Sequence, residues 1–381
     1  GSEMCIRDRM NIMTEIFDRA SQFASQYIEP VADKLDKEKA FPEEVFDKLH
    51  QEKYLELLIP KELGGQGGDI VDHTEVIRAF SAKSATVGLT YMMHNVALNA
   101  VVQSGEEATK QKIIKEVIEE GKFLALAYSE PTGGVEFYKP DTTQAVKDGN
   151  KWTINGSKSM VTSATFADYY IVIAKTIEGE EDAENFLVAK DADGVRFKME
   201  LWNGLGMRGN VSCPMDLNDV VVSDQDRLED PEIVPLFIAG LAAVYSGLNM
   251  AIAQEAISHA MDRQYPDGHK LSEVDTIKGH ISKIYSNAVS AAAVTKDAAY
   301  DGREDLEAAL PKILAARVVA TENVNESANL GMRIGGGRAY TGYKNFELYL
   351  RDALAGQVMA PSLDMLYQWI GAALTDQDMI Q

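Results

Sequence analysis

Hydroxyl side chains, paired glycines and a few isolated cations are the parts of this 381-residue chain with the types and spacing to do chemistry. Tyr128 and Ser129 precede the run Glu130-Pro131-Thr132-Gly133-Gly134, and Thr162 ends the run Asn155-Gly156-Ser157-Lys158-Ser159-Met160-Val161. Such hydroxyls can donate to, or accept from, the polar edge of a ligand. Gly336 and Gly337 would let a backbone approach a ligand closely, and a guanidinium such as Arg263 suits bidentate contact with an anion. Taken alone, these residues read more readily as strand-edge hydroxyls, a helix terminus and a surface arginine. For proton transfer, His94 in Tyr91-Met92-Met93-His94-Asn95 carries an imidazole that ordinarily titrates near neutrality. Asp364 offers a carboxylate. Beside these stand two plainer readings, a hydrogen-bonded core histidine and an aspartate at a helix N-terminus. Cysteine is limited to Cys5 and Cys213, which excludes a disulfide framework and a Cys-type zinc site, and no metal site is expected.

The elements that must position these groups fall into blocks. From Met13 to about Lys122 apolar residues recur at helical spacing, as in Ile16, Phe17, Ala20, Phe23 and Ala24, with turn signals at Phe41-Pro42 and Gly64 to Gly68. From Phe123 to about Leu228 the pattern changes to short β-type runs. Lys151-Trp152-Thr153-Ile154 precedes Asn155-Gly156, which reads as a hairpin turn, and Tyr169 to Ala174, Phe186 to Ala189 and Val220 to Val222 read as further strands. Beyond Pro231 long helical periods return over Ala251 to Ala260, Val274 to Ala299 and Ala308 to Asn329. Helix, strand and helix in blocks, without βα alternation, predict a mainly α protein with a central β domain. The expected boundaries are 10–122 for an N-terminal helical domain, 123–228 for a middle β domain and 229–381 for a C-terminal helical bundle. Residues 1–9 read as a cloning scar and adapter-derived stretch, with the natural start at Met10 or Met13 and the gene from environmental DNA.

Composition narrows the partners. A net charge of −22 repels nucleic acid and anionic membrane alike, so neither is expected. Any site for an anionic ligand must be locally basic against that field. Sparse cysteine fits a reducing, cytoplasmic compartment. The uncharged run from Ile233 to Ala253 is long enough to cross a bilayer. It contains Pro235, Ser246 and Asn249 and lacks basic flanks, so a buried helix at the centre of a bundle or interface is expected.

In order along the chain, several segments resemble the acyl-CoA dehydrogenase family. Ile59-Pro60-Lys61-Glu62-Leu63-Gly64-Gly65, Ala127-Tyr128-Ser129-Glu130-Pro131 with its glycine turn, and Asn155-Gly156-Ser157-Lys158-Ser159-Met160-Val161-Thr162 carry the first half. Gly204-Leu205-Gly206-Met207-Arg208-Gly209, Gly336-Gly337-Arg338-Ala339-Tyr340 and Leu350-Arg351-Asp352-Ala353 carry the second. The resemblance spans about residues 13–370. It implies an N-terminal helical domain, a middle β-barrel-like domain and a C-terminal four-helix bundle, binding FAD. By that pattern Tyr128 and Ser129, with Gly134 and Val135 after them, line the flavin, Met160 covers it, and Thr162 approaches N5. Arg263 sits where the family places an arginine on the FAD pyrophosphate. Arg333, Gly336 and Gly337 meet the cofactor of a neighbouring subunit, in a homotetramer or homodimer.

The sequence also departs from the family. The usual glutamate, which takes the α-proton of an acyl thioester, maps nine residues beyond Arg351 onto Ala360. An alternative glutamate position used by some relatives maps onto Phe237. Both are empty of a base, although the Ala360 backbone N–H could still polarise a thioester carbonyl. Met160 replaces a tryptophan, Val135 a serine and Arg333 a glutamine, and Tyr265-Pro266-Asp267-Gly268 adds a residue. Asp364, one helical turn beyond Ala360, and His94 are the candidate replacement bases. The implied activity is FAD-dependent oxidation of an acyl-CoA or acyl-carrier thioester, coupled to an electron-transfer flavoprotein. The alternatives are a monooxygenase using O₂ and reduced flavin from a flavin reductase, and a non-redox thioester-binding or lyase-like offshoot.

Overall fold

The structure is a computed structural model that describes residues 14–133, 138–177 and 183–377. Residues 1–9, Gly134 and Val135 lie outside the described residues. The N-terminal block is helical. Helix α1 (Glu15–Phe23), capped by Thr14, runs into a π-helical turn, Ala24–Ile28, and is followed by α2 (Ala32–Glu38) and α3 (Glu43–Gln51). Helix α4 (Ile70–Ser81) begins at a capping box in which Asp69 and Asp72 satisfy each other's backbone donors. Helices α5 (Ala85–Ser104) and α6 (Glu107–Glu120) complete the block. Helices α4 and α5 are buried over most of their surface; α5 lacks a polar stripe, and α4 buries Glu75 and Arg78 as an ion pair at 2.8 Å.

The middle block is a sheet in the order β6-β7-β3-β2-β4-β5-β8, with β1 paired in parallel to β4. Its strands are β1 (Leu124–Ala127), β2 (Gln144–Asp148), β3 (Lys151–Val161), β4 (Tyr169–Thr176), β5 (Ala183–Ala189), β6 (Val195–Phe197), β7 (Cys213–Ser223) and β8 (Arg227–Leu228). Asn155-Gly156 is not the hairpin turn expected of it. The β2–β3 reversal lies instead at Gly149 (φ 61°), and β3 runs on through Asn155 and Gly156. There the register against β7 shifts between Ile154 and Gly156, the signature of a bulge. Asn155 closes it by donating to Asp219 Oδ1 (3.0 Å) and accepting from the Asp219 N–H (2.8 Å). A Cβ at Gly156 would stand 2.5 Å from Thr143 Cα, so the adjacent chain can pass only a glycine.

The C-terminal block holds α7 (Val234–Asp262), α8 (Asp275–Glu304), α9 (Leu306–Tyr340), α10 (Phe346–Val358) and α11 (Leu363–Leu374). Helix α7 packs between α8 and α9 of the bundle and α4 and α5 of the first block, and its apolar window is wholly buried, as expected for the uncharged run. Gly247 permits this. A side chain there would strike the Arg78 carbonyl at 2.4 Å. Helix α9 is broken near its end by Gly336, whose φ of 60° and ψ of −150° only glycine adopts readily.

Two of the candidate bases are corrected by this fold. His94, fully buried on α5, accepts at Nδ1 from the Leu124 N–H (3.2 Å), which leaves the proton on Nε2 to reach the Leu55 carbonyl (2.8 Å). It pins the start of β1 to α5, and burial pulls its pKa down to about 4, so it is a neutral core histidine. Asp364 is exposed in the first turn of α11, behind the N-cap Ser362. Ala360 lies in the bend before that helix, so the two do not share a helical face.

A buried ion pair joins the segment after β1 to β3. Glu130 accepts from the backbone N–H groups of Asp141 (3.0 Å), Thr142 (2.6 Å) and Thr143 (3.0 Å), from the Thr142 hydroxyl (2.8 Å) and from Lys158 Nζ (2.9 Å). Lys158 also donates to the Tyr128 carbonyl (3.1 Å). Burial alone would raise the Glu130 pKa, but these hydrogen bonds and the Lys158 ammonium hold it at about 2.

Two outcomes follow from these contacts. Glu130→Gln should cost about 3–5 kcal/mol in urea unfolding at neutral pH, because it leaves a buried ammonium without its counter-charge. In the wild type the Glu130 contribution is complete above the ordinary value of 4.5 and is lost as the pH falls toward about 2. His94→Ala should cost about 2–5 kcal/mol by the same measurement, from a cavity and two orphaned backbone groups. It should leave the pH profile of any turnover unmoved near neutrality; a profile that loses a limb with His94 would restore it as a base.

Candidate active site

The bulged end of β3, the end of β1, the loop before β7, the first turn of α7 and the last turns of α10 enclose a cavity of about 600 Å³. Leu126, Tyr128 and Ser129 form one wall, and Met160 and Thr162 the next. Lys158 and Glu130 set this corner from behind, and the Ser159 N–H donates to the Ser129 carbonyl at 2.7 Å, locking the two walls together. The Tyr128 phenol is turned away to Asn185 Oδ1 on β5, and burial raises its pKa well above the usual phenol range. Met160 stands 68% exposed on a left-handed backbone (φ 51°), so a thioether covers the cavity where an indole would have packed.

Trp202, Leu205 and Met207 form the opposite side. This loop is tied to α10 by Asp352, whose buried carboxyl accepts from the Met207 N–H at 2.6 Å and is pushed up to about 7 by burial. Arg351, which also borders the cavity, is held bidentately by Asp36 (2.7 and 2.8 Å) and by Glu347 (2.6 Å). Those carboxylates raise its pKa further and leave no net positive charge at the cavity.

Ile233, Val234 and Phe237 of α7 and Leu354, Val358, Met359 and Ala360 at the end of α10 supply the apolar remainder. Both positions read as vacated base sites, Ala360 and Phe237, therefore face this one cavity. Among the described residues that line it there is no carboxylate and no histidine. Behind the α10 wall, Arg317 of α9 donates to the Gly356 carbonyl at 2.8 Å and lies over the Tyr245 ring at 4.7 Å, which fixes the turn leading to Ala360.

Asn210 and Ser212 also line the cavity and were not singled out in the sequence. Thr162 Oγ1 lies 2.9 Å from Ser212 Oγ, which donates to Asn210 Oδ1 at 3.1 Å. Their only sequence signal is their place just after Gly204 to Gly209. Glu130 and Lys158 stood inside quoted motifs, but their pairing across the sheet was not legible.

A separate cavity of about 480 Å³ gathers Arg263, Arg333, Gly336 and Gly337, together with Arg338 and Tyr265. Arg263 caps the C-terminus of α7, and Arg333 and the glycines sit at the break in α9. A Cβ on Gly336 or Gly337 would meet nothing within 4 Å, so their backbone is open to a ligand. Three guanidinium groups with no carboxylate among the described lining residues suit an anionic ligand, against the acidic charge of the chain.

Comparison with known proteins fits this arrangement. Residues 13–121 match the model described as acyl-CoA dehydrogenase, N-terminal domain, residues 125–220 the middle domain, and residues 239–375 the C-terminal domain. A 3-(aryl)acrylate reductase of Clostridium sporogenes is 29% identical over 351 residues, covering 87% of this chain and 90% of that protein. Butyryl-CoA dehydrogenase from Megasphaera elsdenii has the same fold, with a TM-score of 0.88 at 21% identity over 95% of this chain and 99% of that one. So does a dibenzothiophene monooxygenase from Paenibacillus sp. A11-2, with a TM-score of 0.84 at 20% identity over 95% and 97%. With the matched segments running in order through all three blocks, the chain belongs to the acyl-CoA dehydrogenase family.

Proposed function

We propose that the chain is an FAD-dependent oxidoreductase acting on an acyl-CoA or acyl-carrier thioester, in a site that has lost its carboxylate base. The observation that carries this reading is the convergence of Tyr128, Ser129, Met160 and Thr162 with Phe237 and Ala360 on one mostly apolar cavity. A flat apolar ring with one polar edge fits such a lining. Bound there, the flavin would supply a two-electron acceptor or donor. Ser129 and Thr162 would meet its polar edge, Met160 would exclude water from one face, and Arg263, Arg333, Gly336 and Gly337 would hold a pyrophosphate. Because those last residues line a different cavity, the reading has them serve the cofactor of a neighbouring copy, in a homodimer or homotetramer. Sparse cysteine supports a cytoplasmic setting, and an electron-transfer flavoprotein would be the electron partner.

The missing base limits the rate rather than the binding. General-base catalysis is typically worth about a hundred- to ten-thousand-fold, and neither Ala360 nor Phe237 can take a proton. A second reading, hydroxylation by O₂ with flavin reduced by a partner reductase, is favoured by the apolar character of both positions, since it needs no α-proton abstraction.

Anaerobic titration of FAD-reconstituted protein with a panel of acyl-CoA esters separates the two. Slow bleaching of the oxidised flavin by at least one ester is expected; none, in protein that holds flavin, would sink dehydrogenation and leave the oxygen-dependent reading. Ala360→Glu should accelerate the bleaching by about a hundredfold or more. An unchanged rate in that variant would mean that this position is not where the α-proton leaves.

A further inference from the structure

By the resemblance Thr162 would approach flavin N5, and the direction of its hydrogen bond follows from its neighbours. Asn210 turns its amide oxygen toward Ser212, and an amide oxygen can only accept. The single Ser212 proton is therefore spent on Asn210 (3.1 Å), and Ser212 can only accept from Thr162 (2.9 Å). The single Thr162 proton is spent in turn. What remains on the Thr162 oxygen is lone-pair density, and Thr162, Ser212 and Asn210 all line the cavity while each is nearly buried.

The backbone holds this chain of hydroxyls in place. The Asn210 N–H donates to the Met207 carbonyl (3.0 Å), and its carbonyl accepts from the Ser163 N–H (2.9 Å). Between Asn210 and Ser212 the chain turns through Val211 at φ 46° and ψ 65°, a left-handed conformation that a β-branched residue seldom adopts. Ser163, directly after Thr162, is left-handed as well (φ 58°). Strain concentrated on both sides of one hydrogen-bonded triplet marks a geometry imposed by its surroundings.

We infer that Asn210 and Ser212 are positioning residues that fix Thr162 as a hydrogen-bond acceptor toward the cavity, so that the site favours reduced over oxidised flavin. This rests on the flavin reading proposed above. Oxidised flavin presents a lone pair at N5, which, were N5 placed at Thr162 as the resemblance implies, would meet another lone pair there. Reduction adds two electrons to the ring and a proton to N5, and an N–H placed there would donate to Thr162. A site built this way raises the midpoint potential of its cofactor and holds the reduced form more tightly.

The test is the midpoint potential of FAD reconstituted into the wild type, Ser212→Ala and Ser212→Thr, measured by slow anaerobic reduction with dithionite against a reference dye. Binding of oxidised FAD is measured in parallel. The wild type should lie above free FAD. Ser212→Ala releases the Thr162 proton toward the cavity and should lower the potential by about 30 mV, a tenfold change in relative affinity for a two-electron couple. Ser212→Thr keeps the hydroxyl and should keep the wild-type value. A potential unmoved or raised in Ser212→Ala, or lowered equally in Ser212→Thr, would overturn the inference while leaving the flavin reading intact. Wild-type protein that retains no FAD would remove that reading, and this inference with it.

Discussion

The salt bridge between Glu130 and Lys158 is the constraint on which the cavity depends. It closes a gap that neighbouring-strand hydrogen bonds leave open, since β1 pairs with β4 and β3 pairs with β2 and β7. Without it, the walls carrying Tyr128–Ser129 and Met160–Thr162 would be joined by the Ser159 to Ser129 backbone hydrogen bond and by packing. Burying two charges is costly unless the geometry is close and every remaining lone pair is satisfied. Here the carboxylate takes three backbone donors as well as the ammonium, so the pair is fully bonded and the loop from Asp141 to Thr143 is ordered with it.

With that frame in place, the chemistry of the cavity is set by what its walls leave out. Ala360, in the bend after α10, and Phe237, on α7, face one space, so a proton acceptor at either position would have faced the same cavity. Arg351 borders that space but is neutralised by Asp36 and Glu347, and Asp352 beside it is turned to the Met207 N–H. The ionisable groups at this site therefore hold the loop from Leu205 to Met207 against α10. The polar character that remains is carried mainly by hydroxyls and the amides of Asn210 and Gln357, groups that orient hydrogen bonds without changing charge.

Helix α7 shows how a single element links the two cavities. Its first turn supplies Val234 and Phe237 to one, and its last residue leads to Arg263 in the other. Burial of Pro235 to Ala253 makes the helix a rigid spacer, held close to α4 at Gly247. The distance between the two cavities is thus a property of bundle packing and not of either loop.

Block order, the buried nature of the uncharged run and the vacancy at Ala360 were determined by the sequence alone, because each depends on residue type at a fixed local spacing. Helical periods over Val274 to Ala299 and Ala308 to Asn329 survive as α8 and α9 for the same reason. The roles of His94 and Asp364 were decided only by the tertiary structure. An imidazole is a base or a core strut according to what occupies its two nitrogens, and Leu55 and Leu124 are distant in sequence. Asn155-Gly156 has the local chemistry of a hairpin turn, yet β7 on one side and Thr143 on the other make it a bulge. The hydrogen-bonded line from Thr162 to Asn210 was likewise invisible, since it joins positions about fifty residues apart and its direction is set by which amide atom faces inward. Local patterns carry propensity and the presence or absence of a chemical group; contacts between distant segments, settled when the core closes, assign that group its partner and so its function.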